Sequence, residues 1–148
     1  MPKLDLETIP QTNATGYPPE FADKVQGRNY RRLAPAAGLE DFGASHVVLE
    51  PGAWSSQRHW HEGEDELLVM VEGEGVLVDD AGEHALRPGY IAAFPKNDGN
   101  GHVIQNRSDA PCSFVVVGKP STTACHYPDI DMHLPAGGPF TRKDGSAF

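Results

Sequence analysis

Between His46 and Gly118 the apolar residues come in short runs, and a turn signal ends most of them. HVVLE stops at Pro51-Gly52, GVLV at Asp79-Asp80-Ala81-Gly82, and EHAL at Pro88-Gly89. The whole chain carries 16 glycines and 13 prolines, which break it too often for long helices. Short apolar runs at this spacing predict an all-β sandwich or barrel. The strands read from the pattern are 46–50, 55–61, 66–71, 75–78, 83–86, 90–94, 102–106 and 112–118. That is about eight strands in roughly seventy residues, joined by tight turns.

A length of 148 residues suits one domain, and no internal repeat divides it. Residues 1–35 read as an irregular N-terminal arm, 36–120 as the barrel and 121–148 as an irregular C-terminal tail draped over the barrel or a neighbour. In the arm, Pro18 and Pro19 argue against helix. RNYRRL is either a short helix or a strand, with solvated packing as its expected role.

The formal net charge is −9, which argues against a nucleic-acid footprint. Two cysteines, Cys112 and Cys125, are too few for a disulfide framework and are expected to be reduced, partly buried thiols. No stretch reaches the ~18 apolar residues of a membrane span. The start, MPKLDLETIPQ, lacks the apolar core of a secretory signal, so a cytoplasmic location is the expectation.

The candidate chemistry begins with His59 and His61. They sit two apart in an expected strand, so both imidazoles point to one face and together suit a transition metal. Glu66 follows five residues after His61, the wrong parity for one uninterrupted strand. A turn through Glu62-Gly63-Glu64-Asp65 resets that parity and returns Glu66 beside the histidines. Glu66 also opens the apolar run LLVMV, where a carboxylate is costly unless paired or metal-bound. His102 supplies a fourth ligand, with Asn106 on the same face. Glu62, Glu64 and Asp65 are assigned to a solvated turn, and His46, His84, His126 and His133 to non-ligands, as is the pair Cys125-His126.

By parity, Ser55 and Gln57 share the face of His59 and His61, with Gln57 a candidate to orient a bound water or substrate oxygen. Leu68 and Met70 share the face of Glu66, and Trp54 and Trp60 face away. Leu67, Val69 and Val71 alternate with Leu68 and Met70, so both faces of that strand are apolar and require cover. Sheet packing, the arm or a second subunit could supply it, and a homodimer is the expectation.

These residues resemble a known family. Gly52, His59-Trp60-His61, Glu66 and Gly73 are similar to the first cupin motif, and Gly89, Pro95, His102 and Asn106 to the second. The gap from Gly52 to His59 and the loop from Pro95 to His102 are slightly longer than the usual form, and Tyr90 stands where an Asp often follows the glycine. The resemblance covers residues 40–118 and implies a double-stranded β-helix, or jelly-roll barrel, with a metal in its mouth. It implies three His and one Glu as ligands, here His59, His61, Glu66 and His102, with one or two positions open to water or substrate. More narrowly, the chain is similar to small single-domain bacterial cupins of the sugar-phosphate isomerase-like group, from which fold and metal carry over but not substrate.

One divalent transition metal ion is therefore expected, with Mn, Fe, Ni and Zn all compatible with imidazole and carboxylate ligands. Three functions compete for such a site. The first is a metal-dependent isomerase or lyase on a small polar organic substrate, the ion acting as a Lewis acid that chelates adjacent oxygens and stabilises an enediolate. The second is an Fe(II)-dependent dioxygenase. The third is a small-ligand-binding or sensing module without turnover. A general base near the metal would favour an enzyme, and the sequence alone identifies none.

Overall fold

Alternation along the strands sorts this chain into an inside and an outside. In Glu66–Glu72, Leu68 and Met70 are 2% and 1% exposed, while Leu67 and Val71 on the other face are 43% and 42% exposed. The computed structural model describes residues 2–148. Its strands are β1 (Gln11–Thr12), β2 (Arg28–Arg32), β3 (Gly43–Leu49), β4 (Trp60–His61), β5 (Glu66–Glu72) and β6 (Gly75–Asp79). They continue as β7 (Gly82–Leu86), β8 (Ile91–Phe94), β9 (Val103–Gln105), β10 (Cys112–Gly118), β11 (Cys125–His126) and β12 (His133–Leu134). Two one-turn helices, α1 (Pro19–Ala22) and α2 (Leu33–Ala36), lie on either side of β2 in the chain.

The architecture is the all-β jelly-roll expected from the sequence. One sheet runs β1-β2-β3-β10-β5-β8, a second β7-β6-β9 and a third β12-β11-β4, with antiparallel pairing throughout. The inward faces of the first two sheets enclose a core of Val47, Leu49, Leu68, Met70, Ile104 and Phe114. Gly73 turns β5 into β6 at φ 71°, and a Cβ there would stand 2.6 Å from the Pro111 carbonyl oxygen. The glycine of the first motif is thus required by both dihedral angle and space. No helix among the described residues is long and apolar enough to cross a membrane.

Three local expectations are corrected. Pro18 and Pro19 do not exclude helix: Pro19 opens α1, where its missing N–H has no intrahelical partner to lose. RNYRRL resolves into β2, which pairs with β3 from Arg28↔Leu49 to Arg32↔Ser45 and extends the main sheet. Residues 55–58 are bends rather than strand; only Trp60–His61 pair as β4, and His59 makes a single bridge to His102.

The tail lies on the barrel and adds two short strands. β11 pairs with β4, placing Cys125 opposite His61, and β12 pairs with β11. A second apolar cluster forms beneath it from Cys125, Tyr127 and Met132, packed against Tyr17, Phe21, Ile130, Leu134 and Phe140. Tyr17 meets Tyr127 and Phe140 edge-on at 5.9 and 5.4 Å. Arm and tail therefore share one core.

Met132 is fully buried in that core. Met132→Ala is expected to lower unfolding free energy by about 2–5 kcal/mol, the range for a buried Met truncation. Urea titration should show a lower midpoint with an unchanged slope; an unmoved midpoint would mean that the tail does not fold with the barrel.

Candidate metal centre

Backbone pairing brings the two histidine segments together. The His59 N–H donates to the His102 carbonyl at 3.1 Å, and the His102 N–H returns to the His59 carbonyl at 2.9 Å. β4 places His61 beyond this bridge, and β5 brings Glu66 in from the main sheet opposite Phe94 and Gly118. The four expected ligand residues cluster as overlapping trios: His59, Glu66 and His102 form one possible metal-holding group, and His61 joins Glu66 in another that includes Glu64. His59 Nε2 lies 3.1 Å from His61 Nε2, His61 Nε2 lies 3.6 Å from Glu66 Oε1, and His102 Nε2 lies 3.0 Å from Glu66 Oε2.

These separations suit a metal. Bonds of about 2.0–2.1 Å place neighbouring ligand atoms about 2.9–3.4 Å apart in octahedral or tetrahedral geometry. His59 Nδ1 pairs with the Gln57 carbonyl oxygen at 2.9 Å, which fixes its tautomer and leaves the Nε2 lone pair free. His102 is held differently, by stacking on Phe94 with ring centres 3.7 Å apart, and its buried Nδ1 has no hydrogen-bond partner. The donor set of three imidazoles and a carboxylate fits a first-row divalent ion.

Electrostatics in the cluster follow from burial and close contact. Burial, with the neighbouring His102 and His61, pushes His59 down to about 3. Burial opposes a charge on His61 too, yet Cys125 and Glu66 outweigh it and hold that imidazole up, to about 10. Burial would raise Glu66, but hydrogen bonds from His102 and His61 hold its carboxyl well below the usual range.

The cluster opens on a cavity of about 580 Å³. Leu68, Phe94, Phe114 and Val116 give it apolar walls, and Glu64, Ser55, Arg28 and Arg32 place polar groups at its surface. Among the described residues, neither arginine has a carboxylate within 4 Å, whereas Arg31 between them reaches Glu7 at 3.9 Å. Arg28 Nη1 donates to the Ser55 carbonyl at 2.9 Å and its buried Nε has no partner.

Three features escaped the sequence reading. Glu64 is not a solvated turn residue: its side chain is 18% exposed, it lines the cavity, and its Oε2 lies 3.8 Å from His61 Nδ1. Burial pushes its carboxyl up, to about 7. The parity used for Leu68 and Met70, extended backwards from Glu66, would have found it. Arg28 and Arg32 line the cavity because β2 is a strand of the barrel. Cys125 forms a possible metal-holding group with His59 and His61, the donor atoms lying within 4.8 Å of one another; only long-range pairing with β4 reveals it.

The remaining assignments sort cleanly. Gln57 turns its side chain away and donates to the Phe21 carbonyl at 2.9 Å, so it serves His59 through its backbone oxygen and not through its amide. Ser55 Oγ accepts from the Ile104 N–H at 2.9 Å. Trp60 stacks on His126, which pairs with Glu62 at 2.7 Å, and Trp54 lies under the Lys24 ammonium. His84 pairs with Asp79 at 3.1 Å. His46, His84, His126 and His133 belong to none of the possible metal-holding groups among the described residues.

Comparison with known proteins gives a consistent picture. Residues 45–118 match the family model of the cupin domain. The chain is similar to a sugar phosphate isomerase from a cupin superfamily of Silicibacter pomeroyi, with 48% identity over 99% of this chain and 96% of that chain and a TM-score of 0.92. Two further structures share the fold. One is a candidate sugar phosphate isomerase from Acidithiobacillus ferrooxidans, with 23% identity over 78% and 76% of the chains and a TM-score of 0.69. The other is a polyketide cyclase from Streptomyces resistomycificus, with 20% identity over 80% and 78% and a TM-score of 0.65. No curated protein sequence matches the chain.

Gly118 tests the packing of the two acids. A Cβ there would stand 2.6 Å from Glu64 Oε1 and 3.3 Å from Glu66 Cγ. Gly118→Ala is expected to swing the Glu64 carboxylate aside and to press on the Asp65 carbonyl and Glu66 Cγ by a few tenths of an ångström, weakening Co(II) binding by about 10-fold, the low end of the usual cost of disturbing a ligand's supports. Calorimetric titration with Co(II) measures this, and equal affinity in the two proteins would refute the assigned packing.

Proposed function

The chain belongs to the cupin family, and from that premise we propose that His59, His61, Glu66 and His102 hold one divalent transition metal ion serving an isomerase- or lyase-type reaction on a small polar organic substrate. The observation that carries this reading is the meeting of two things in one cavity: a convergent set of nitrogen and oxygen donors, and Glu64, a largely buried acid beside them that lines the cavity and also lies within reach of an ion held by His61 and Glu66. A volume of about 580 Å³ suits a small molecule. The name of the Silicibacter pomeroyi relative, a sugar phosphate isomerase, supports a sugar-type substrate.

When bound, a divalent ion supplies Lewis-acid polarisation of substrate oxygens. The chain's own groups do the rest. Glu64 is the candidate to take a proton from a carbon beside a carbonyl and return it to the neighbouring carbon. Arg28 and Arg32, without carboxylate partners, favour an anionic group on the wall formed by β2. Leu68, Phe94, Phe114 and Val116 limit water around the reacting centre.

We also propose that two copies pair through the outer face of β5 and β8. Leu67, Val71 and Ile91 are exposed there, β8 is an edge strand, and the arm extends the sheet at its far side instead of covering this face. Sedimentation at micromolar concentration is expected to give the dimer mass, and the monomer mass would overturn the pairing.

Elemental analysis of protein purified without added metal tests the centre. About one ion per chain is expected in the wild type and loss of that ion in the His59→Ala/His102→Ala double variant; unchanged content in the variant would refute the site. For the reaction, Glu64→Gln should keep its ion yet lose about 10²- to 10⁴-fold in aldose–ketose interconversion of sugar phosphates followed by NMR. Fe(II)-dependent oxygen uptake in place of interconversion would select the dioxygenase reading, and tight ligand binding without turnover the sensing one.

A further inference from the structure

The tail brings a sulfur to a centre otherwise made of nitrogen and oxygen. Cys125 stands directly opposite His61 in the β4–β11 pair, so the two side chains leave the same face of that small sheet. Two overlapping groups share His59: one made with Glu66 and His102, the other with His61 and Cys125. In each, the donor atoms lie within 4.8 Å of one another.

The position of Cys125 is built, not incidental. It is 2% exposed, and the strand carrying it is tied down on several sides. The Glu62 N–H donates to the Ala124 carbonyl at 3.1 Å, His126 pairs with Glu62 at 2.7 Å, and Arg58 grips both Asp129 oxygens at 2.8 Å. Tyr127, two residues on and on the same face, sets its ring 5.7 Å from the His59 ring. Cys112 provides the contrast. It packs among Leu49, Met70 and Phe114 in the main core and belongs to no possible metal-holding group among the described residues.

We propose that Cys125 is an additional sulfur donor to the metal centre, recruited by thiophilic ions such as Co(II) and Zn(II) and left unused by Mn(II). This rests on the reading of His59, His61, Glu66 and His102 as ligands. On recruitment the S–H bond breaks, its proton leaves to solvent, and a sulfur–metal bond forms with no change of oxidation state. Soft thiolate ligands select Co and Zn over Mn, so the tail tunes which ion the protein holds.

Co(II) titration of the full chain tests the donor. Wild-type and Cys112→Ser proteins are expected to develop a sulfur-to-cobalt charge-transfer band in the near ultraviolet at one equivalent, and Cys125→Ser to lose it. Cys125→Ser should bind Co(II) at least tenfold more weakly while its Mn(II) affinity stays within twofold of wild type. X-ray absorption on Zn-loaded wild type needs no variant and should show a Zn–S shell at about 2.3 Å beside shorter N/O shells. Stoichiometric metal binding with only N/O neighbours and no charge-transfer band would overturn the sulfur donor while leaving the four-ligand centre intact. Failure of wild type to bind Co(II), Zn(II) or Mn(II) at all would overturn both.

Discussion

Two backbone hydrogen bonds between His59 and His102 fix the end of the barrel where the chemistry is. They are reciprocal, so they set the separation and relative direction of two segments that are far apart in the chain. The side chains then have little freedom: His59 Nδ1 is spent on the Gln57 carbonyl, and His102 is trapped face-on against Phe94. Glu66 reaches the same point from another sheet because β5 pairs with both β8 and β10. Had the bridge formed one residue out of register, an imidazole would face away from the cavity.

A cluster of three imidazoles and a carboxylate does not assemble without opposition. Burial disfavours every charge in it, and the histidines disfavour one another's protons. The cluster is nonetheless held by apolar cores on both sides. The main core anchors β5, β9 and β10, and the second core, under the tail, anchors β4 through β11. Polar ties around the rim complete the enclosure, with Arg58 joining the β6–β7 hairpin to the tail through Asp80 and Asp129. Site residues carried on paired strands and locked by such supports are better positioned than any loop could make them.

Much of this was legible in the sequence because it depends on local period. Glu66 returning across a turn, Gly73 at a turn, and the inward set of Leu68 and Met70 all follow from a side-chain period of two and from turn chemistry. The sequence failed where pairing partners decide. Ser55–Arg58 has the alternation of a strand but finds only isolated partners, and Gln57 consequently turns to the Phe21 carbonyl. Arg28 and Arg32 give no sign in the sequence of lining a cavity, and they do so only because β2 is placed beside β3. Glu64 looks like one acid among four until Gly118 and His61 are seen against it. Cys125 has no local signature, because its significance arises only from being opposite a residue sixty-four positions earlier.

The charge distribution follows the same logic. The chain carries a net −9, and most of its arginines with carboxylate partners hold them at the surface. The two that line the cavity have none: Arg28 donates to the Ser55 and Ala14 carbonyls and lies over the Tyr30 ring, and Arg32 is exposed, so neither charge is neutralised by an acid of the chain. In the same cavity, Glu66 stays ionised against the histidines while Glu64 is pushed toward neutrality at ordinary pH. Two carboxyl groups two residues apart are thus driven in opposite directions by what surrounds them. On the proposed reading, that division suits Glu66 to hold an ion and Glu64 to exchange a proton, in a cavity that Arg28 and Arg32 also line.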